Sequence, residues 1–131
     1  MSRREDRKEA FKLLFSSTFG INNCDNSVSE FAKEIFTGVN NNILIINNLI
    51  KENIRNWKFE RISRVAKSAM RMGIYELIQE KIPMAIVINE AVEMAKIFGS
   101  EEEANYVQAV LTSVSNSYKN YINNKNNLIV K

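Results

Sequence analysis

The chain has 131 residues, of which 45% are hydrophobic and 25% are charged, and its formal net charge is +3. This size predicts a single domain with a hydrophobic core, and the mild positive charge permits nucleic-acid binding without requiring it. The chain has no histidine and one cysteine, which excludes a Cys/His zinc site, and no segment approaches the roughly 20 apolar residues of a membrane span.

Helical periodicity covers most of the chain, so the sequence predicts an all-α fold. The first predicted helix spans residues 3–19 and is followed by a loop rich in Gly, Asn and Asp. Ser27 and Glu30 have the spacing of a capping box at the start of the next helix. That helical pattern continues to residue 50, with a break predicted near residues 38–42.

The second half of the chain contains further predicted helices. Residues 61–80 form one of them, and small residues on one face would let a neighbouring helix approach closely. Residues 82–99 form the next, since Pro83 fits a helix start and Gly99 fits a left-handed helix end.

A second capping box, Ser100 with Glu103, opens the last predicted helix. Apolar residues recur inside this helix at helical spacing. From residue 119 the chain is rich in Asn and Lys, and we expect residues 119–131 to be disordered.

Basic and acidic side chains separate onto two halves of the first helix, at about 100° per residue. Glu5, Asp6 and Glu9 occupy one half. A basic half-cylinder suits phosphate contact, with arginine preferred for its forked donor geometry. A solvated helix start with local ion pairs, such as Glu5 with Lys8, explains the pattern equally well. The basic half consists of Arg3, Arg4, Arg7, Lys8 and Lys12.

A second basic stripe lies on the helix predicted over residues 61–80. Arg64, Lys67 and Arg71 are spaced by three and four residues, and Tyr75 extends the same line. Cations interleaved with an aromatic ring suit single-stranded RNA, whose bases stack and whose phosphates meet guanidinium groups. An ordinary solvated helix face explains the same spacing.

The sequence contains little that could support catalysis. It has no phosphate-cradling glycine loop and no nucleophile paired with a base. The three glutamates at residues 101–103 could gather a divalent cation, but the helix macrodipole explains them better. We therefore expect a protein that is not an enzyme and has no metal or cofactor. Because no signal-peptide pattern follows the N-terminus, we also expect it to be cytoplasmic.

Four blocks of the sequence resemble the NusB family of transcription antitermination factors. The third block is the most specific, because helical packing alone would not require Asn89-Glu90 or the run Ala95-Lys96-x-Phe98-Gly99. The blocks are Arg3-Arg4-x-x-Arg7-x-x-Ala10-x-x-x-Leu14-Phe15, Arg61-Ile62-Ser63 with Met70-Arg71-Met72-Gly73-Ile74-Tyr75-Glu76-Leu77, Ile82-Pro83-x-x-Ile86-Val87-Ile88-Asn89-Glu90-Ala91-Val92-x-Met94-Ala95-Lys96-x-Phe98-Gly99, and Tyr106-Val107 with Val110-Leu111.

The resemblance implies one NusB-like domain of about seven helices in two subdomains, at about residues 1–56 and 57–118. It also implies a function, which is to bind the boxA element of nascent ribosomal RNA together with NusE, a small-subunit ribosomal protein. The resulting complex joins RNA polymerase and lets transcription pass terminators.

The resemblance also implies roles for individual residues. The arginine-rich motif of the family maps to Arg3, Arg4 and Arg7, which favours RNA contact by the basic half of the first helix. Tyr106 stands where the family usually has a phenylalanine near the RNA surface. The implied NusE-facing candidates are Tyr75, Glu76 and Glu102.

Several residues depart from the family pattern. Ala66 stands where an acidic residue is common, and Asp6 lies inside the arginine motif. Gln108, Ala109 and Thr112 replace the usual Asn, Gly and Asp. These departures keep two alternatives open, namely a helical protein-binding scaffold or homodimer with little RNA binding of its own, and a regulatory domain that works with an RNA-modifying enzyme.

Overall fold

The computed structural model describes the backbone of residues 2–55 and 58–130 and the side chains of residues 2–55 and 58–118. Across this described part the chain is helical and has no strand, which confirms the predicted all-α class. None of the helices described there is long and apolar enough to cross a membrane. The helices are α1 (Arg3–Ser17), α2 (Glu30–Asn41), α3 (Ile43–Asn53), a 3₁₀ helix (Phe59–Arg61), α4 (Arg64–Gln79), α5 (Met84–Phe98) and α6 (Glu101–Val130).

Helix α4 lies at the centre of the fold and packs against all five other α-helices. Its close packing depends on small side chains. A Cβ added at Gly73 would lie 2.8 Å from Leu111 Cδ1 and 3.2 Å from Ala91 Cβ, so α5 and α6 approach α4 at this point. The structure thereby confirms the predicted close approach on the small-residue face of α4.

Helix α2 covers the other end of α4, where Tyr75 is buried. A Cβ added at Gly38 would collide with the ring of Tyr75, so glycine is needed for the ring to fit under α2. Asn42 separates α2 from α3, which confirms the break predicted near residues 38–42.

The start of α2 differs from the prediction. Ser29, and not Ser27, is the N-cap, and its Oγ accepts a hydrogen bond from Ala32 N at 3.1 Å. The hydroxyl and backbone N–H of Ser27 instead donate to the side chain of Asp25, which holds Ser27 in the preceding turn. The cap at Ser29 is reinforced because its own N–H donates to Glu9 Oε1 of α1 at 3.1 Å.

The end of α5 also differs from the prediction. Gly99 ends the helix with φ −133°, so the predicted left-handed conformation is wrong. Glycine is needed there for space, since an added Cβ would lie 2.8 Å from both Ala95 O and Val65 Cγ1. A left-handed conformation occurs instead at the end of α4, where Glu80 has φ 56°.

Helix α6 begins at the predicted capping box, where Ser100 Oγ accepts a hydrogen bond from Glu103 N at 3.2 Å. Its backbone is helical through Val130, across the stretch for which the sequence predicts disorder. Side chains after Tyr118 and residues 56 and 57 lie outside the described part. The disordered tail and the division into two subdomains therefore stay predictions.

Candidate nucleic-acid interface

The N-terminal turn of α1 carries the most exposed arginine of the predicted motif. Ser2 caps the helix, because its Oγ accepts a hydrogen bond from Glu5 N at 3.2 Å. The side chain of Arg3 is 56% exposed and pairs with Asp6 Oδ2 at 3.2 Å. Its guanidinium carbon also lies 4.1 Å from the centre of the Phe31 ring on α2. Arg3 thus reaches solvent, although it is held by two neighbours.

Arg4 forms a forked pair with Glu90 of α5. Its Nε donates to Glu90 Oε1 at 3.0 Å and its Nη2 donates to Oε2 at 2.7 Å, while Glu93 Oε2 lies 3.9 Å from Nη1. This hydrogen bonding lowers the pKa of the Glu90 carboxyl and raises the pKa of Arg4. The side chain of Arg4 is still 42% exposed, so one side of its guanidinium faces solvent.

Arg7 lies inside the protein rather than on its surface. Its side chain is 5% exposed, and it donates to both carboxylate oxygens of Glu76 on α4, at 3.1 Å and 2.8 Å. Glu90 Oε1 lies 3.7 Å from its Nη1. The structure therefore joins two residues predicted for different surfaces, Arg7 for RNA and Glu76 for a partner. Both roles stay predictions, and in this conformation neither side chain reaches solvent.

The two lysines of α1 lie on its outer side. Lys8 Nζ pairs with Glu5 Oε1 at 3.2 Å, which is the local ion pair that the sequence offered as an alternative to phosphate contact. Lys12 is exposed, and its Nζ lies 6.0 Å from the centre of the Phe98 ring. The surface ion pair of Lys8 is weakly held and Lys12 is exposed, so both ammonium groups can turn toward an anion.

Tyr106 and Glu102 line one open groove, of about 580 Å³, between the N-terminal ends of α4 and α6. Ala66 lies in the same groove and is buried. Tyr106 is half-buried, and this burial raises the pKa of its hydroxyl. Ala109 lines the next groove along α6, together with the other side of Tyr106. Three positions at which this sequence differs from the usual NusB pattern, Ala66, Tyr106 and Ala109, therefore lie within one region.

The second basic stripe is built differently from the prediction. Arg71 turns toward α3, where its Nε donates to Asn47 Oδ1 at 3.1 Å. Lys67 and Arg71 face the ring of Phe59, whereas Tyr75 is buried under α2 and is separate from them. Burial lowers the pKa of both cations.

Two residues of these surfaces were not predicted from the sequence. The sequence did contain a signal for a role of Glu90, because Glu90 belongs to the Asn89-Glu90 pair that helical packing does not require. The sequence contained no such signal for Phe59, because Phe59 lies outside the helix whose cations it contacts. Among the described residues, no group of acidic or cysteine side chains is arranged to hold a metal ion.

Comparison with known proteins gives consistent matches. A model of the NusB family matches residues 1–116. Transcription antitermination protein NusB of Fervidobacterium nodosum is 36% identical over 116 residues, which cover 88% of this chain and 82% of that protein. The protein of the same name from Clostridium botulinum is 33% identical over 130 residues, covering 87% and 98%.

Solved structures share the fold. T. maritima NusB superposes with a TM-score of 0.77 at 28% identity, covering 88% of this chain and 92% of that one. A crystal structure of antitermination factors NusB and NusE in complex with dsRNA gives a TM-score of 0.77 at 23% identity, covering 88% and 97%. Since the family model and the relatives span most of the sequence, this chain belongs to the NusB family of transcription antitermination proteins.

Proposed function

We propose that this chain is a non-enzymatic, cytoplasmic antitermination factor that binds boxA-type single-stranded RNA together with NusE. In this role it helps RNA polymerase pass terminators on ribosomal transcripts. Membership of the NusB family supports the proposal. A structure with the same fold was solved as antitermination factors NusB and NusE in complex with dsRNA, which supports NusE and RNA as classes of partner.

The observation that carries the RNA part is the outward display of cations on α1. Arg3 and Arg4 are 56% and 42% exposed, Lys8 is half-buried and Lys12 is exposed. These groups neutralise phosphates of the RNA backbone, and the release of counterions drives binding. Arg7 contributes indirectly, because its pair with Glu76 fixes α1 to α4 and so sets the direction in which the outer cations point.

Base recognition falls to the groove between the N-terminal ends of α4 and α6. The half-buried ring of Tyr106 in this groove can stack on an unpaired base. Glu102 is exposed in the same groove and provides a negative group for NusE. Tyr75 and Glu76 take part in a NusE contact only through a rearrangement of α2 and α4, because both are buried.

The test is the salt dependence of RNA binding. Lys8→Ala with Lys12→Ala should weaken binding to a boxA-like RNA and flatten the slope of log affinity against log salt by about 1.4, at about 0.7 for each phosphate that is no longer neutralised. Lys81→Ala is the matched control, since Lys81 is an exposed lysine that precedes α5 and pairs with Glu34. Unchanged affinity and slope in the double variant would remove Lys8 and Lys12 from the RNA site.

A protein scaffold or homodimer is the second candidate. Leu44 and Ile45 favour it, because these large apolar side chains are adjacent on α3 and are 77% and 58% exposed. Size-exclusion chromatography with NusE, in the presence and absence of boxA RNA, separates the two functions. A complex with NusE that never recruits RNA would favour the scaffold.

A further inference from the structure

Three cations converge on the ring of Phe59, which belongs to the 3₁₀ helix between α3 and α4. Lys67 Nζ lies 4.5 Å from the ring centre, Lys51 Nζ lies 5.1 Å away, and the guanidinium carbon of Arg71 lies 5.8 Å away. Lys51 comes from the last turn of α3, and the other two come from successive turns of α4. We call these four residues the Phe59 cluster.

The charge of the Phe59 cluster is uncompensated. Within residues 2–55 and 58–118, none of its three cations forms an ion pair with a carboxylate, whereas Arg3, Arg4, Arg7 and Lys8 of α1 all do. Glu60 acts on Lys67 only at longer range. Burial and the neighbouring charge of Arg71 both lower the pKa of Lys67, which agrees with like charges held together in a partly dry place.

The ring and Asn47 hold these cations in position. Phe59 is half-buried and offers its π-electrons to all three, and Asn47 Oδ1 accepts the Nε–H of Arg71. The remaining N–H groups of the Arg71 guanidinium and the two ammonium groups are donors for an external anion. Because the groups are ordered before binding, an anion gains their hydrogen bonds at a reduced entropic cost.

We propose that the Phe59 cluster is a second binding site for phosphate groups of the RNA backbone, apart from the basic face of α1. This proposal rests on the proposed RNA-binding function. The two sites lie on different sides of α4, since at about 100° per residue Lys67 and Arg71 face away from Glu76, which binds Arg7 of α1. An RNA strand held at α1 therefore has to extend along the protein to reach the Phe59 cluster.

The ligand of the Phe59 cluster is the RNA backbone rather than a particular base. The groups that can reach a ligand are the two ammonium groups and the guanidinium group of the cluster, and their N–H donors suit phosphate oxygens. The amide oxygen of Asn47, the one neutral acceptor of this set, is already occupied by Arg71. The contribution of the site to affinity should therefore be the same for RNAs of different sequence.

The test compares a short boxA-like RNA with the same RNA extended at either end by unrelated sequence. Lys51→Gln and Lys67→Gln, alone and together, remove charge while keeping long side chains over the ring, and Lys81→Gln is the control. The wild type should bind the extended RNA more tightly and with a steeper salt slope. The double variant should lose that gain, and its slope should flatten by about 1.4. Its affinity for the short RNA and its thermal stability should be unchanged.

The outcomes separate this proposal from the proposed function. If the double variant binds the extended RNA as the wild type does, or if extension adds nothing, the Phe59 cluster is not a phosphate site although short-RNA binding stands. If the wild type binds neither RNA at any salt concentration, both proposals are overturned. If Lys8→Ala with Lys12→Ala has no effect while the Lys51/Lys67 double variant loses the gain, the Phe59 cluster stands and Lys8 and Lys12 are removed from the RNA site.

Discussion

The three arginines of the α1 motif differ in what surrounds their guanidinium groups. Arg7 is buried in its pair with Glu76. Arg4 pairs with Glu90 but stays partly exposed to solvent, and Arg3 is the most exposed of the three. Moving Arg7 to an external phosphate would leave the Glu76 carboxylate buried without a counter-charge. We infer that Arg7 stabilises the packing of α1 on α4, and that Arg3 and Arg4 are the arginines available to RNA.

The pair between Arg7 and Glu76 gives a stability prediction. Glu76→Ala should lower the free energy of unfolding by about 3–5 kcal/mol, because it leaves the buried Arg7 guanidinium with only its longer contact to Glu90. Urea denaturation measures the loss. The control is Glu5→Ala, which breaks the exposed pair with Lys8 and should cost less than about 1 kcal/mol. Similar losses in both variants would show that the buried pair does not stabilise the fold as inferred.

The pair between Arg4 and Glu90 gives a pH prediction. The hydrogen bond from Arg4 lowers the pKa of Glu90 from its ordinary value of 4.5. A carboxyl whose pKa is lower in the folded state adds stability that is present above the unfolded-state pKa and is lost as pH falls through the folded-state pKa. The wild type should therefore lose stability on acidification below about pH 4.5, and Glu90→Gln should lose less. Equal losses in urea titrations across that range would contradict the assignment.

At the scale of helices, contacts from outside each helix decide where it begins and ends. Helix α2 starts at Ser29 because Asp25 holds Ser27 in a turn and Glu9 binds the Ser29 N–H. The residue that ends α5, Gly99, has to be glycine because Val65 and the helix itself leave no room for a Cβ. The contacts of Glu9 with Ser29 and of Val65 with Gly99 join distant parts of the chain, so local spacing could not predict them.

The cap of α2 provides a test with a control two residues away. Ser29→Ala should lower the free energy of unfolding by about 1 kcal/mol, because the N–H of Ala32 loses its acceptor. Ser27→Ala should have a much smaller effect, since that residue is exposed and lies outside the helix. Thermal or urea unfolding of both variants measures the two losses. A larger loss of stability for Ser27→Ala would show that Ser27 caps the helix, as the sequence predicts.

The sequence could predict the helices and the cationic side of α1, because both depend on residues close together in the chain. It could not predict the partners of those cations. Glu90 lies 86 residues from Arg4, and Glu76 lies 69 residues from Arg7. The same limit applies to Phe59, whose contacts with α3 and α4 arise only when the helices pack.

For the whole molecule, α4 connects all the proposed surfaces. Its Glu76 forms an ion pair with Arg7 of α1, it carries two cations of the Phe59 cluster, and it forms one wall of the groove that contains Tyr106. Because α4 packs against every other α-helix, these surfaces are held in a fixed arrangement. An RNA strand and a protein partner can therefore be bound at the same time on neighbouring faces.

The most direct test of the proposed function is RNA binding by the chain alone and with NusE, across a series of salt concentrations. We predict that the chain with NusE binds boxA RNA more tightly than the chain alone and more tightly than an RNA of scrambled sequence. We also predict that the logarithm of affinity falls linearly with the logarithm of salt concentration. A complex with NusE that retains no RNA, or that binds both RNAs equally at every salt concentration, would contradict the proposed function.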